Sequence, residues 1–391
     1  MDYHINRNWM KRIAILFLGS LIFCACKQNH KNASGYDDII KNENDHSYDW
    51  IKLKIDSTLT ENNIPALSIA IIEGGKVTLF KGFGTMERNG STSVDKNSIY
   101  QIASQSKMFT GIIVNNLIKE GKLKLDDPIT KYLSDVLNWE STERLKVVKL
   151  KSLLQHTAGI ANDACSNYKR RIDGEAWLEG YSEKELIKDL NEMELVYEPD
   201  TQWKYSNSGY AIVGYICEKV SGMDYDALLK KYVTEVYNLD NTSITLDSYQ
   251  KSLLVTPYRK DDREVKTQAS LMGKATPASA IYSNTSDLSK LIVEQIKAYR
   301  KNKAENLYSP LVLTEQVAEM GRNDLYYGYG LIMKSEENWT NYNHGGDADG
   351  FGCEYYFSPE KEIGVVFLTS SGGRWIGMLT NQIFYELCNK S

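Results

Sequence analysis

Two serines and a lysine stand close together in the stretch QIASQSKMFT, residues 101–110. A serine hydroxyl is a useful nucleophile at neutral pH only when a base lies within hydrogen-bond reach. On a helix, residues three apart share a face whereas neighbours point about 100° apart, so Lys107 can meet Ser104 but not Ser106. Backbone N–H groups at the start of a helix would further favour an ionised hydroxyl. The spacing makes Ser104 a candidate nucleophile; a helix cap and a solvated lysine are the alternatives.

Two further polar motifs follow along the chain. Tyr205-Ser206-Asn207 lies in a predicted loop ahead of an apolar helix, and His344-Gly345-Gly346 stands just ahead of a predicted strand. Beyond residue 46 the only histidines are His156 and His344. A Ser-His-Asp triad is therefore possible in principle, but Lys107 is the better-placed base. The chain has no G-x-S-x-G sequence, so an α/β-hydrolase arrangement is not indicated.

Taken in order, S-x-x-K at Ser104, Y-x-N at Tyr205 and H-x-G at His344 resemble the motifs of the serine β-lactamase and penicillin-binding protein superfamily. The branch they resemble is that of class C β-lactamases and D-alanyl-D-alanine carboxypeptidases. Three flanking blocks agree with it: LKSLLQHTAGI at 150–160, PASAIYSNTSDLSKL at 277–291 and HGGDADGF at 344–351. The resemblance covers roughly residues 48–388.

The resemblance implies a catalytic role for three of these residues. Ser104 would attack a carbonyl group and form an acyl-enzyme, and Lys107, held neutral by its surroundings, would accept the serine proton. Tyr205 would relay a proton to the leaving group and help to activate the deacylating water. His156, in the HTAG block, is expected to be a buried structural residue.

The resemblance also implies a substrate-binding set. Asn207 would hydrogen-bond the substrate amide, and the strand that carries His344 and Gly346 would lie along the substrate. The two oxyanion donors of the superfamily map to the backbone N–H groups of Ser104 and Asp347. His344 stands where many β-lactamases carry a lysine, and it would contact a substrate carboxylate or polar group.

The elements around these motifs predict an α+β fold. Asp49–Asn63 has helical spacing, and two β-rich runs follow, joined by the hairpin signal EGGK at 73–76. Near the C-terminus YGYGLIMK, GFGCEYYFSP and EIGVVFLTSS each read as a strand, and WIGMLTNQIFYELCNK reads as a helix. Strands at both ends with helices between them indicate one antiparallel sheet built from N- and C-terminal strands, flanked by helices. The catalytic domain is expected over 48–391, with its sheet part at about 48–124 and 300–391 and a mostly helical insertion at about 125–299.

The N-terminal segment resembles an export signal. Lys11 and Arg12 precede an apolar run at Ile13–Phe23, and Cys26 after Ala25 resembles a bacterial lipobox. We therefore expect a lipoprotein signal peptide at 1–25, lipidation of Cys26 and a polar, flexible tether at 26–47. The protein would then be secreted across the inner membrane, lipid-anchored, and facing the periplasm or the cell surface. A plain signal peptide is the alternative.

Composition excludes several other classes. The net charge is −5 and no basic stripe occurs, so nucleic acid is not an expected partner. After Cys24 and Cys26 the remaining four cysteines are far apart, which argues against a disulfide scaffold and a zinc site. No metal or cofactor is expected. An oxidising compartment would permit a disulfide, but the spacing does not say which pair.

Two hypotheses for function stay open. The first is a serine hydrolase of amide or ester bonds, with a D-amino-acid peptide from peptidoglycan, an ester, a small amidated metabolite or a β-lactam as substrate. The H-x-G third motif favours the peptidase and esterase members over an efficient β-lactamase. The second is a non-hydrolysing, penicillin-recognising sensor or scaffold.

Overall fold

The computed structural model describes residues 46–169, 180–301, 318–321, 324–348 and 350–390. Eight of its strands form one antiparallel sheet, and the other two, β3 and β4, pair with each other. In chain order the strands are β1 Ala66–Glu73, β2 Lys76–Gly84, β3 Tyr100–Gln101, β4 Tyr282–Ser283, β5 Ala318–Glu319, β6 Leu325–Tyr327, β7 Ile332–Ser335, β8 Thr340–Ala348, β9 Phe351–Ser358 and β10 Ile363–Thr369.

The sheet joins the two ends of the described chain. Its strand order is β2-β1-β10-β9-β8-β7-β6-β5, and β1 pairs with β10 in a register that sets Ile71 opposite Val365. The predicted hairpin at 73–76 is present, with positive φ angles of 58° and 68° at Gly74 and Gly75. Two successive residues with positive φ are what a tight hairpin turn requires, and glycine meets this requirement without strain.

Helices cover both faces of the sheet. Leu67, Ile69 and Ile71 of β1 are buried in an apolar cluster with the first and last helices, whereas a different helix, α12, packs against β1 and β10. The helices are α1 Asp49–Glu61, α2 Ser106–Lys119, α3 Thr130–Leu133, α4 Trp139–Leu145, α5 Leu150–Leu154, α6 Glu183–Glu192, α7 Asn207–Ser221, α8 Tyr225–Leu229, α9 Glu235–Tyr237, α10 Ser248–Ser252, α11 Thr276–Ser279, α12 Thr285–Lys301 and α13 Arg374–Lys390.

The helical segment between β2 and β5 is organised around α2. Every α2 residue from Ser106 to Leu117 is buried, and α7 and α11 pack against this helix. A helix buried all round has a fixed position, so its N-terminal end is a rigid platform for the side chains of Ser104 and Lys107. The predicted α+β fold, with a sheet drawn from both ends and helices inserted between them, is confirmed.

One strand prediction was too simple. YGYGLIMK, read as one strand, is divided by a turn between the last residue of β6 and the first three residues of β7, and Gly330 in that turn has a φ of +91°. A Cβ at Gly330 would lie 2.3 Å from the carbonyl oxygen of Lys107. The turn therefore packs directly on the backbone of α2, which only glycine allows at this distance.

Several predictions concern residues outside the described ones. The signal peptide at 1–25, the lipidated Cys26 and nearly all of the tether at 26–47 belong to this group. Within the described residues, no helix has the length and apolar character needed to cross a membrane. Cys165, Cys217, Cys353 and Cys388 are buried, and the cysteines of this part of the chain form no disulfide with one another.

Candidate active site

Ser104 lies in a short 3₁₀ turn, Ala103–Gln105, that runs directly into α2. The pairing of β3 with β4 fixes the chain just before this turn, and the Ile102 N–H donates to the Ile281 carbonyl at 2.9 Å. Ala103 itself has a positive φ of 42°, which is uncommon for a residue with a side chain. The chain bends here, and the half-buried Ser104 stands immediately in front of the helix.

Lys107, in the first turn of α2, is fully buried. Its Nζ lies 3.3 Å from Ser104 Oγ, 2.7 Å from Asn207 Oδ1 and 2.6 Å from the Ala278 carbonyl oxygen. Burial lowers the pKa of Lys107 well below that of an exposed lysine, and no carboxylate among the described residues offsets this effect. The structure therefore favours a neutral amine beside the serine.

The contacts of a neutral amine fix the direction of its lone pair. A neutral lysine has two hydrogens and one lone pair, and both Asn207 Oδ1 and the Ala278 carbonyl can only accept. These two oxygens take the two hydrogens, which leaves the lone pair for the Ser104 hydroxyl proton. This arrangement is the one that a proton acceptor for Ser104 requires.

Ser106 has a different environment from Ser104. It is fully buried, its hydroxyl donates to the Ala103 carbonyl at 2.7 Å, and it accepts the Ile281 N–H at 3.1 Å. Both bonds stabilise the turn around Ser104. Ser104 thus lies beside the Lys107 amine, as the helical spacing predicts, whereas the Ser106 hydroxyl bonds only backbone groups.

The loop before α7 brings Tyr205 and Asn207 to the same place. Tyr205 shares a hydrogen bond with Ser104, and burial raises the pKa of its phenol above the ordinary value. His156 supports this loop, since its Nδ1 accepts the Ser206 N–H at 3.1 Å and its ring lies 4.4 Å from that of Tyr205. Burial lowers the pKa of His156 well below its ordinary value, so this histidine is neutral.

Strand β8 passes close to the nucleophile turn. The Gln105 side-chain amide donates to the His344 carbonyl at 3.1 Å, and a Cβ at Gly346 would lie 2.8 Å from that of Ala103. This approach leaves no room for a side chain at residue 346. Asp347 is the next residue on β8, and its carboxylate pairs with Lys260 at 3.3 Å.

His344 is buried on β8, only 3% exposed. Its Nδ1 lies 2.7 Å from the Gly345 carbonyl, which can only accept, so Nδ1 carries the hydrogen. Its Nε2 then accepts the Tyr327 hydroxyl at 3.0 Å. Burial and the nearby Lys107 lower the pKa of His344 to about 3. The ring is neutral near neutral pH, and both of its nitrogens are engaged within the protein.

The comparisons with known proteins agree with this geometry. The sequence model of the Beta-lactamase family matches residues 51–376. The chain belongs to the beta-lactamase family. The resemblance to serine β-lactamases and penicillin-binding proteins, which the motifs predicted, is thereby confirmed. Members of this family are typically serine hydrolases.

Individual members of the beta-lactamase family are distant from this chain. Protein flp of Staphylococcus aureus (strain MW2) is 24% identical over 342 residues, which are 86% of this chain and 65% of that protein. The chain thus spans less than two thirds of the length of that relative. A beta-lactamase of Yersinia enterocolitica is 21% identical over 353 residues, 81% of this chain and 86% of its own. The octameric penicillin-binding protein homologue from Pyrococcus abyssi superposes with a TM-score of 0.75 at 26% identity, covering 88% of this chain and 77% of its own.

Two contributors to the site were missed by the sequence reasoning. Tyr327 bonds His344 and packs its ring 4.4 Å from that of His156, so one tyrosine connects the two buried histidines. Ala278 provides a carbonyl for Lys107. The two glycines of YGYG could have indicated a turn directly after Tyr327, which places this tyrosine at the end of a strand. The contribution of Ala278 is a backbone carbonyl, and every residue has one, so no residue type in the sequence indicates it.

The described residues contain no group of histidine, cysteine, aspartate and glutamate side chains suited to hold a metal ion. The site residues offer a hydroxyl beside a neutral amine, a phenol, an amide and the N–H groups of a strand. Such a set suits acyl transfer to serine.

Proposed function

We propose that this protein is a serine hydrolase that cleaves amide or ester bonds through an acyl-enzyme on Ser104. The observation that carries the proposal is the fully buried Lys107, whose Nζ lies 3.3 Å from Ser104 Oγ with its two hydrogens directed at carbonyl-type oxygens. An amine held uncharged in this way is a base positioned for one hydroxyl proton. The family supports the same chemistry.

In the acylation step, Ser104 Oγ forms a bond to the substrate carbonyl carbon while its proton moves to Lys107 Nζ. The carbonyl oxygen becomes an oxyanion, and the backbone N–H groups of Ser104 and Asp347 are the proposed donors to it. Asn207 uses Oδ1 for Lys107, which leaves its Nδ2 to donate to the substrate.

Expulsion of the leaving group requires a proton. Tyr205 is a neutral phenol that shares a hydrogen bond with Ser104. It can therefore donate its proton to the departing nitrogen or oxygen and regain one from the protonated Lys107. The C–N or C–O bond breaks, the amine or alcohol leaves, and Lys107 returns to its neutral form.

Deacylation repeats these transfers with water. Water attacks the acyl carbon, and its proton passes to Lys107, helped by Tyr205. The bond to Ser104 Oγ then breaks and Oγ recovers a proton, which restores the resting site. No cofactor or metal takes part in this proposal.

The substrate is proposed as a small molecule or peptide with an accessible amide or ester. D-amino-acid peptides derived from peptidoglycan, esters and β-lactams all fit this chemistry. His344 is neutral and already bonded to Tyr327, so it offers no positive charge to a substrate carboxylate. We therefore propose that His344 stabilises the substrate strand beside Gly346 through its hydrogen bonds. This role is proposed for a hydrolase of the peptidase or esterase kind.

The proposed location is outside the inner membrane, with a lipid on Cys26 as the anchor. The support is the sequence alone: a basic and apolar N-terminal segment followed by Cys26. Metabolic labelling with palmitate tests it. Label on the wild-type protein and none on Cys26→Ser is the expected result, and equal label on both would contradict the anchor.

Turnover of a chromogenic ester and a chromogenic cephalosporin tests the proposed reaction. We expect turnover of at least one by the wild-type protein, none by Ser104→Ala, and near-wild-type activity per folded molecule for the matched control Ser106→Ala. Turnover that survives Ser104→Ala would contradict the mechanism. A stoichiometric adduct without turnover would instead support a penicillin-recognising sensor.

A further inference from the structure

A cleft lies on the face of the sheet opposite Ser104. Side chains alternate along a strand, and Cys353 on β9 points to the nucleophile turn, where its Sγ contacts the Ile102 carbonyl. Glu354, the next residue, therefore points away from Ser104, toward α13. We call this space the rear cleft; it has a volume of about 550 Å³. Its lining includes Gly346 and Asp347 of β8, Glu354 and Tyr356 of β9, and Arg374, Ile376 and Gly377 of α13.

The carboxyl group of Glu354 is buried in the rear cleft without a partner. The residue is 8% exposed, and it forms no hydrogen bond or ion pair with any other described residue. Two glycines make the space for it: a Cβ at Gly345 would lie 2.4 Å from Glu354 Oε2, and one at Gly377 would lie 3.2 Å from the same atom. An unpartnered buried carboxyl is costly, and a bound donor would relieve that cost.

Two further charged residues line the rear cleft, Asp347 and Arg374. The Asp347 carboxylate is paired with Lys260 at 3.3 Å, so Arg374 is the charged residue that can bind a ligand anion. Arg374 is exposed and begins α13, a helix of 17 residues. The first N–H groups of a helix have no partner within it and carry a partial positive charge. Arg374 and this helix start both line the cleft, so one part of it suits a carboxylate. Tyr356 and Ile376 add apolar surface.

We propose that the rear cleft binds a free α-amino acid. The ammonium group would donate to the Glu354 carboxylate, and the α-carboxylate would be held by Arg374 and the first N–H groups of α13. A zwitterion pairs with Glu354 and Arg374 at once, whereas an amine or a carboxylate alone pairs with only one of them. The volume lies in the range of small-molecule pockets. This site does not depend on the proposed reaction at Ser104.

The burial of Glu354 supports this assignment. It raises the pKa of the carboxyl to about 8, so near neutral pH the unoccupied site holds this group mostly protonated. An ammonium ion beside it would favour the ionised form and release a proton.

Calorimetric titration of Ser104→Ala tests the proposal without interference from turnover. The probes are glycine and the D- and L-forms of alanine and leucine, with propylamine and propionate as single-charge comparisons. We expect saturable binding of at least one amino acid, and binding at least tenfold weaker for propylamine and propionate. Absence of saturable binding up to about 10 mM for every amino acid would overturn the proposal. Equal affinity for propylamine would overturn the zwitterion assignment.

Three variants in the Ser104→Ala background locate the site. Glu354→Gln and Arg374→Gln are each expected to weaken binding at least tenfold. Gly377→Ala narrows the cleft, because the new Cβ would lie 3.2 Å from Glu354 Oε2, so binding should weaken. Alanine favours the helix and the close contact opposes it, so urea denaturation is measured alongside to show that the variant is folded. Asn207→Ala, on the opposite face, is the control and should bind as before. Binding lost in Asn207→Ala but kept in Glu354→Gln would place the ligand at the Ser104 site and contradict the proposal.

Discussion

Replacing Lys107 with methionine removes the amine beside Ser104 and keeps an unbranched side chain of similar length. If the amine accepts the serine proton, its loss removes general-base catalysis of acylation, which is worth between about 10² and 10⁴ in rate, or about 3 to 5 kcal/mol. The measurement is the single-turnover acylation rate with a chromogenic ester or cephalosporin.

The stability of the same variant should change far less than its activity. Nζ contacts Asn207 Oδ1 at 2.7 Å and the Ala278 carbonyl at 2.6 Å, and losing these bonds costs about 1 to 3 kcal/mol for each acceptor left unpaired. Removing a fully buried amine also removes its desolvation cost, which acts in the opposite direction. We expect a net change in the free energy of unfolding within about 2 kcal/mol, measured by urea denaturation. Lys131→Met, at an exposed ion pair with Asp127, is the matched control and should leave acylation unchanged.

The pH dependence gives an independent check on Lys107. Because burial lowers its pKa, the base form persists well below pH 10, and acylation by the wild-type protein should decline only as the pH falls through that lowered pKa.

An acylation rate for Lys107→Met within tenfold of the wild type, in a folded protein, would show that another group accepts the proton. The reasoning from the buried amine would then be refuted.

Three other substitutions test separate parts of the structure. Ser106→Ala leaves the Ile281 N–H without its buried partner, while the Ala103 carbonyl keeps the Ser106 N–H, so urea denaturation should show a loss of about 1 to 3 kcal/mol; an unchanged midpoint would contradict this. Gly346→Ala forces β8 away from the nucleophile turn, because the new Cβ would lie 2.8 Å from Ala103 Cβ, and acylation should slow about 10²-fold; a wild-type rate would show that this contact is not needed. Burial raises the folded pKa of Glu354 to about 8 from 4.5, so the wild type loses stability as the pH rises through that interval. The stability of Glu354→Gln relative to the wild type should therefore increase between pH 5 and pH 8, by on the order of 4 kcal/mol, and a constant difference would contradict the raised pKa.

The fold followed from local patterns that carry long-range information. Alternating β-rich runs around 73–76, and again near the C-terminus, predicted the strands, and their placement at both ends of the chain predicted the shared sheet. The motif order predicted the family. These signals can be recognised in a single sequence because turn glycines and apolar periodicity are local properties.

The state of Lys107 could not be derived in the same way. Its two acceptors, Asn207 and Ala278, are 100 and 171 residues distant along the chain, and its neutrality results from burial by elements that no local pattern pairs. The bond from Tyr327 to His344 and the unpartnered carboxyl of Glu354 are likewise properties of packing between strands. The turn within YGYGLIMK was missed because its apolar and aromatic composition is also that of a strand.

Covalent labelling tests the proposed nucleophile most directly. The purified protein would be treated with a fluorophosphonate or a fluorescent penicillin, and the adduct would be located by peptide mass spectrometry. The account predicts one adduct, on Ser104, that is absent from Ser104→Ala. Label on Ser106, or a stoichiometric adduct that persists in Ser104→Ala, would contradict it.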